Sequence, residues 1–138
     1  MEEYNQSMGF EEIAHTADWS VRVWAQDVPA LFAEAAQAMN ALAGTRVRGP
    51  RLKRRFESQG PDAESLLVAF LSELVYYQEQ GNLAFEAFEV DLEDQRLRVE
   101  MEGAQIASLD KAIKAVTYHN MKIEETARGV EVVIVFDV

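Results

Sequence analysis

The stretch PDAESLLVAFLSELVYYQEQGNLAFEAFEVDLEDQRLRVEM, residues 61–101, sets two apolar periods side by side. From about Asp62 to Gln80, Leu66, Leu67, Phe70, Leu71, Leu74 and Val75 recur at helical spacing. They form a wide stripe that must face a core, and Gly81 stops the pattern. The period then falls to two. Phe88, Val90 and Leu92 alternate, Asp94-Gln95 marks a turn, and Leu97, Val99 and Met101 alternate on the return, which is the signature of a hairpin.

Upstream, Asp27 is placed to cap a first helix, Pro29 suits its first turn, and Leu31, Phe32, Ala35, Ala36, Met39 and Leu42 make its apolar face. Gly44 ends it. Phe10–His15 and Trp19–Ala25 read as extended, and Arg51–Glu57 as a short, strongly basic strand. Downstream, a short helical turn is expected at Ser108–Ala112. Lys114–Glu125 reads as a strand whose apolar parity switches near His119-Asn120, as a bulge would cause. Val130–Val138 is apolar at nearly every position and reads as a central strand covered on both faces. The expectation is an α+β, two-layer domain: a mixed β-sheet of about six or seven strands with two long helices.

The chain has 138 residues, enough for one core and one domain, 1–138. It carries 13 basic and 24 acidic residues, a net charge of −11, which disfavours a protein that grips nucleic acid mainly through phosphates or docks on an anionic membrane. With no cysteine and two histidines, disulfides, thiolate nucleophiles and multi-histidine zinc sites are excluded. No segment has the length of a membrane span or the form of a leader, so a cytoplasmic location is expected. There is no Gly-rich phosphate loop and no nucleophile elbow.

Four features bear on chemistry. His15-Thr16-Ala17-Asp18 lies at a strand-to-strand junction, and Val135-Phe136-Asp137-Val138 places an acid directly before the terminal carboxylate. Such oxygen-rich groups suit hard cations, Ca²⁺ or Mg²⁺; on spacing alone a turn aspartate and a solvated end residue are the favoured account, because aspartate is common in turns. Lys114, entering the apolar run Ala115-Val116-Thr117-Tyr118-His119, suits a phosphate or carboxylate partner, or a charged strand edge. His15 and His119 stand in no metal-ligand spacing. Finally, Arg46, Arg48, Arg51, Lys53, Arg54 and Arg55 concentrate six of the 13 basic residues within ten positions. That patch suits a phosphate backbone or an acidic protein, but lacks the interleaved aromatics of a sequence-reading nucleic-acid module.

The order of these motifs resembles the archease family. The resemblance runs from Met8 to Val138 through His15–Asp18, Leu31-Phe32 with Ala35-Ala36 and Met39, Ser65-Leu66-Leu67 with Leu71–Leu74, Lys114–His119 and Val135–Val138. Residues 1–7 precede the match and are expected to be disordered. The resemblance implies a protein cofactor rather than an enzyme: an activator of an RtcB-type RNA ligase that promotes guanylylation of the ligase histidine, in tRNA splicing or RNA repair. No stable nucleic-acid binding of its own is expected. It further implies a divalent metal, Ca²⁺ or Mg²⁺/Mn²⁺, held by Asp18, Asp137 and Val138, and a functional role for Lys114. The chain departs from the family pattern at Gly103-Ala104-Gln105, where a Gly-Glu pair is usual, and at Ser108–Ile113, which lacks the usual His and Glu. The alternatives are a small metal-dependent phosphohydrolase using Asp18, Asp137 and Lys114, and a chaperone-like adaptor for RNA-processing enzymes.

Overall fold

A computed structural model describes residues 7–13, 19–118 and 120–138. In chain order the elements are β1 (Gly9–Ile13), β2 (Trp19–Ala25), α1 (Val28–Ala43), β3 (Arg46–Gln59), α2 (Ala63–Tyr76), a wide π-helical turn (Tyr77–Gly81), β4 (Leu83–Glu93), β5 (Arg96–Ser108), β6 (Ala115–Thr117), β7 (Glu124–Thr126) and β8 (Gly129–Asp137). The class is α+β, with the two helices where the apolar stripes put them.

Both helices begin on an aspartate. The Asp27 carboxylate accepts the Ala30 N–H at 2.9 Å, and the Asp62 carboxylate accepts the Ser65 N–H at 2.8 Å, each filling a donor the helix leaves unpaired. α1 ends at Gly44, left-handed at φ 64°, whose N–H returns to the last turn.

The sheet differs from expectation. The strands number eight among the described residues and form two sheets, not one mixed sheet; every pairing is antiparallel. The first sheet runs β1-β2-β8-β6, with β7 also on β8; the second runs β3-β5-β4. Each helix touches both sheets: α1 packs on β2 and β4, α2 on β6 and β3. The two helices therefore tie the two sheets into one unit. One core joins all these elements, with Phe32, Phe70, Phe85, Phe136, Leu67 and Ile134 fully buried or nearly so.

Other local expectations change too. The basic strand is β3, 14 residues long, because a bulge between Arg48 and Leu52 carries the chain past Gly49-Pro50 without breaking the pairing. The segment after Ser108 is irregular rather than a helical turn. Lys114–Glu125 is two short strands, β6 and β7, both held by one edge of β8. β8 is central, yet only Val130, Val132, Ile134 and Phe136 are buried; Glu131, Val133 and Val135 on its other face are half-buried. Of the residues expected to be disordered, 1–6 lie outside the described set.

Candidate functional site

β8 positions the site. Its even-numbered residues are drawn into the core, so the side chain after the buried Phe136 points the other way: Asp137 is exposed, and Val138 returns half-buried against the core. β6 lies along the same stretch, pairing Ala115 with Asp137, Val116 with Phe136 and Thr117 with Val135. One residue before β6, the Lys114 N–H donates to the Asp137 carbonyl at 2.7 Å while the Lys114 side chain stands exposed. Two motifs more than twenty residues apart in the chain, the Lys114 and Asp137-Val138 segments, thus form one tip. On the opposite edge of β8, Trp19 pairs with Phe136. Asp18, the residue before Trp19, lies outside the described residues, as do His15 and His119.

The donors at this tip are oxygens of the hard type that calcium or magnesium takes. The Asp137 carboxylate and main-chain oxygens fit such an ion in kind. They do not complete a shell in number, and among the described residues no cluster of three or more His, Asp or Glu side chains is disposed to hold a metal.

The segment leading to Lys114 is fixed at both ends. The Asp110 and Lys111 N–H groups both donate to the Ala43 carbonyl, at 2.8 and 3.1 Å, at the end of α1. At the other end the Ile113 N–H donates to the Gln78 side-chain carbonyl at 3.1 Å, and the Ile113 side chain is buried. Gln78 belongs to no motif. Its signal in the sequence is position: it continues the stripe Leu67, Phe70, Leu71, Leu74, Val75 at helical spacing, and is the polar residue on a face that otherwise meets the core.

The basic patch is neutralised in part: Arg48, Lys53 and Arg54 stand exposed, while its other three members meet acids. Arg51 pairs with Glu86 at 2.8 Å and Glu102 at 3.4 Å, Arg55 with Glu100 at 2.8 Å, and Arg46 with Asp110 at 3.5 Å. The hydrogen bond from Arg51 to Glu86 raises the Arg51 pKa and keeps the guanidinium charged. The acids missing from the patch in sequence arrive from β4, β5 and the segment after β5.

Among the described residues no helix is long and apolar enough to cross a membrane. Comparison with solved structures supports the two-sheet arrangement. The fold matches the crystal structure of a Thermotoga maritima protein, described as an archease and possible chaperone, at a TM-score of 0.69 and 20% identity over 93% of this chain and 96% of that one. It matches the solution structure of Methanobacterium thermoautotrophicum protein 1598 at a TM-score of 0.69 and 24% identity, over 94% and 99% of the two chains. In sequence, the chain is 33% identical to the protein archease of Methanosarcina mazei, over 97% of this chain and 99% of that one. It is 34% identical to the archease of Methanopyrus kandleri, over 85% and 90%. The model of the Archease protein family matches residues 10–138, from β1 through the Lys114 and Asp137 segments that make the tip. With all but the first nine residues inside that match, the chain belongs to the archease family.

Proposed function

We propose that this chain is a protein cofactor that activates an RtcB-type RNA ligase, promoting guanylylation of the ligase histidine and turnover in tRNA splicing or RNA repair. The observation that carries the reading is the tip, where Lys114 and Asp137 are joined through the 2.7 Å backbone hydrogen bond at the end of a centrally paired strand whose one face is buried. A ligase that moves guanylate onto a histidine works on phosphates in a basic, metal-bearing site. An acidic protein is drawn toward such a site over long range. There Lys114 offers an ammonium to a phosphate or carboxylate, and Asp137 offers a carboxylate to a metal or a cationic side chain.

In the same reading Asp18, Asp137 and a main-chain oxygen of Val138 hold a divalent ion, Ca²⁺ or Mg²⁺/Mn²⁺. When bound, that ion supplies positive charge to phosphate oxygens. The chain's own part is to bind and orient: Lys114 presented from a fixed backbone, Asp137 from the end of β8.

The test is single-turnover guanylylation of a cognate ligase with GTP, with and without this protein. Wild type should accelerate the step. Lys114→Ala and Asp137→Asn should each abolish the acceleration while melting within a few degrees of wild type, since both side chains are exposed. Acceleration by both variants at the wild-type rate would move the functional surface elsewhere. Binding to the ligase without any change in guanylylation would favour a chaperone-like adaptor. Turnover of phosphoesters by the isolated protein would favour a phosphohydrolase. Calorimetry with millimolar Ca²⁺ tests the metal: Asp18→Asn and Asp137→Asn should both weaken binding.

A further inference from the structure

Among the described residues, Gln78 is one of two buried polar ones, nine-tenths covered, on the core-facing stripe that α2 carries into its terminal π-turn. A buried amide must find partners or cost the fold the desolvation of its dipole. The partner here is specific. The Gln78 Oε1 atom takes the N–H of Ile113, the residue directly before Lys114, and the Lys114 N–H in turn goes to Asp137. Two successive N–H groups are thereby fixed, one to the end of the α2 helix and one to β8.

The rest of the segment shows why that bond matters. Residues 109–114 have no helix or strand to hold them. Their near end rests on the Ala43 carbonyl at the close of α1. Gly44 beside it is left-handed at φ 64°, which favours glycine, and a Cβ there would displace the Asp110 side chain. Their far end has the Ile113 side chain in the core and the Ile113 N–H on Gln78. The amide sits at the start of the wide turn, still on the α2 stripe. Within Tyr77–Gly81, Tyr77 packs edge-on to Phe85 at 5.1 Å, Gln78 is turned inward, and Glu79 and Gln80 are exposed.

We propose that Gln78 is the positioning residue for Lys114: its side-chain carbonyl fixes the backbone from which the lysine is presented beside Asp137. This rests on the reading of Lys114 as the functional cation, and the experiment separates the two. Gln78→Met keeps the length and removes the acceptor; Gln78→Glu keeps an acceptor oxygen in the same place. Amide hydrogen exchange at Ile113 and Lys114, read by NMR on the free protein, reports the anchor without any ligase. Exchange at Ile113 should quicken roughly tenfold or more in Gln78→Met and return toward wild type in Gln78→Glu. Ligase guanylylation should fall in Gln78→Met and recover in Gln78→Glu, at melting temperatures close enough that both variants are folded at the assay temperature. Should Gln78→Met fail to fold, Gln78→Asn, which withdraws the amide by one methylene, takes its place. Unchanged Ile113 exchange in the acceptor-free variant would overturn the proposal. So would quickened exchange with full stimulation, provided that Lys114→Ala abolishes stimulation. Full stimulation by Lys114→Ala overturns the functional reading instead, and the exchange data then decide whether Gln78 anchors this backbone.

Discussion

The ring of Phe70 is where the helices meet the second sheet. It lies 6.3 Å from Phe32 of α1, 6.2 Å from Phe56 of β3 and 5.8 Å edge-on from Phe88 of β4. No solvent reaches it, so truncation leaves a cavity that four elements would have to fill. Phe70→Ala should cost about 3–5 kcal/mol, read as a lower denaturant midpoint at constant slope. Gly103 sits under a different constraint. It pairs with Phe85 where β4 carries an extra residue, Glu86, and a Cβ on it would overlap the Ala84 carbonyl oxygen and the Phe85 Cα. Those are backbone atoms, and the carbonyls of Phe85 and Glu86 are already held by the Asn40 and Gln37 side chains at 2.7 and 2.6 Å. With α1 fixing the bulge from behind, little can give. Gly103→Ala should therefore cost about 1–3 kcal/mol, measurable by the same denaturation, although the added group is a single methyl.

Within α1, Glu34 breaks the rule that a helix buries apolar residues. Partial burial raises its pKa, so the folded chain holds that proton more tightly than the unfolded chain does. A raised pKa gives a contribution fully present below the unfolded value, about 4.3 for a glutamate, and lost as pH rises through the folded value. At neutral pH the ionised Glu34 is thus a liability. Glu34→Gln should raise the melting temperature at about pH 7 and give no gain at about pH 3, where the carboxyl is already neutral. A gain of the same size at both pH values would show that charge is not the cause. The helices and the β4–β5 hairpin were legible because their determinants are local: the caps Asp27 and Asp62, the stop at Gly44, and the turn at Asp94, which adopts φ 58°. The division into two sheets was not, because no residue of β3 or β8 names its partner. Val133 and Val135 made β8 look doubly buried, when burial in fact alternates along it. At the candidate site, Lys114 and Asp137 stood out as motifs, but their adjacency needed the β6–β8 pairing. Gln78 was marked only by its place on the α2 stripe.

For the molecule as a whole, net charge and its placement decide how a partner is met. The −11 balance outweighs the basic patch, in which Arg46, Arg51 and Arg55 are held by acids of their own surface and Arg48, Lys53 and Arg54 stand exposed. The outer positions of β4 add the exposed Glu89, Asp91 and Glu93 on the other sheet from the tip. The field a distant partner meets is therefore negative, and RNA alone should not be retained by this protein in a mobility-shift assay at about 0.15 M salt. A ligase with a basic phosphate-handling site should meet the opposite condition. Its association rate with this chain should fall roughly tenfold between about 0.05 and 0.3 M salt, as the Debye length shrinks, while the dissociation rate changes much less. The double variant Glu89→Gln with Asp91→Asn should flatten that salt dependence and leave dissociation unchanged, because those side chains act through the field rather than by touching the partner. Lys114→Ala should do the reverse, raising the dissociation rate with little effect on the salt slope. Stopped-flow association at several ionic strengths separates the two patterns. An association rate indifferent to salt would mean that the acidic surface plays no part in docking, and that recognition begins only when the tip is already in contact.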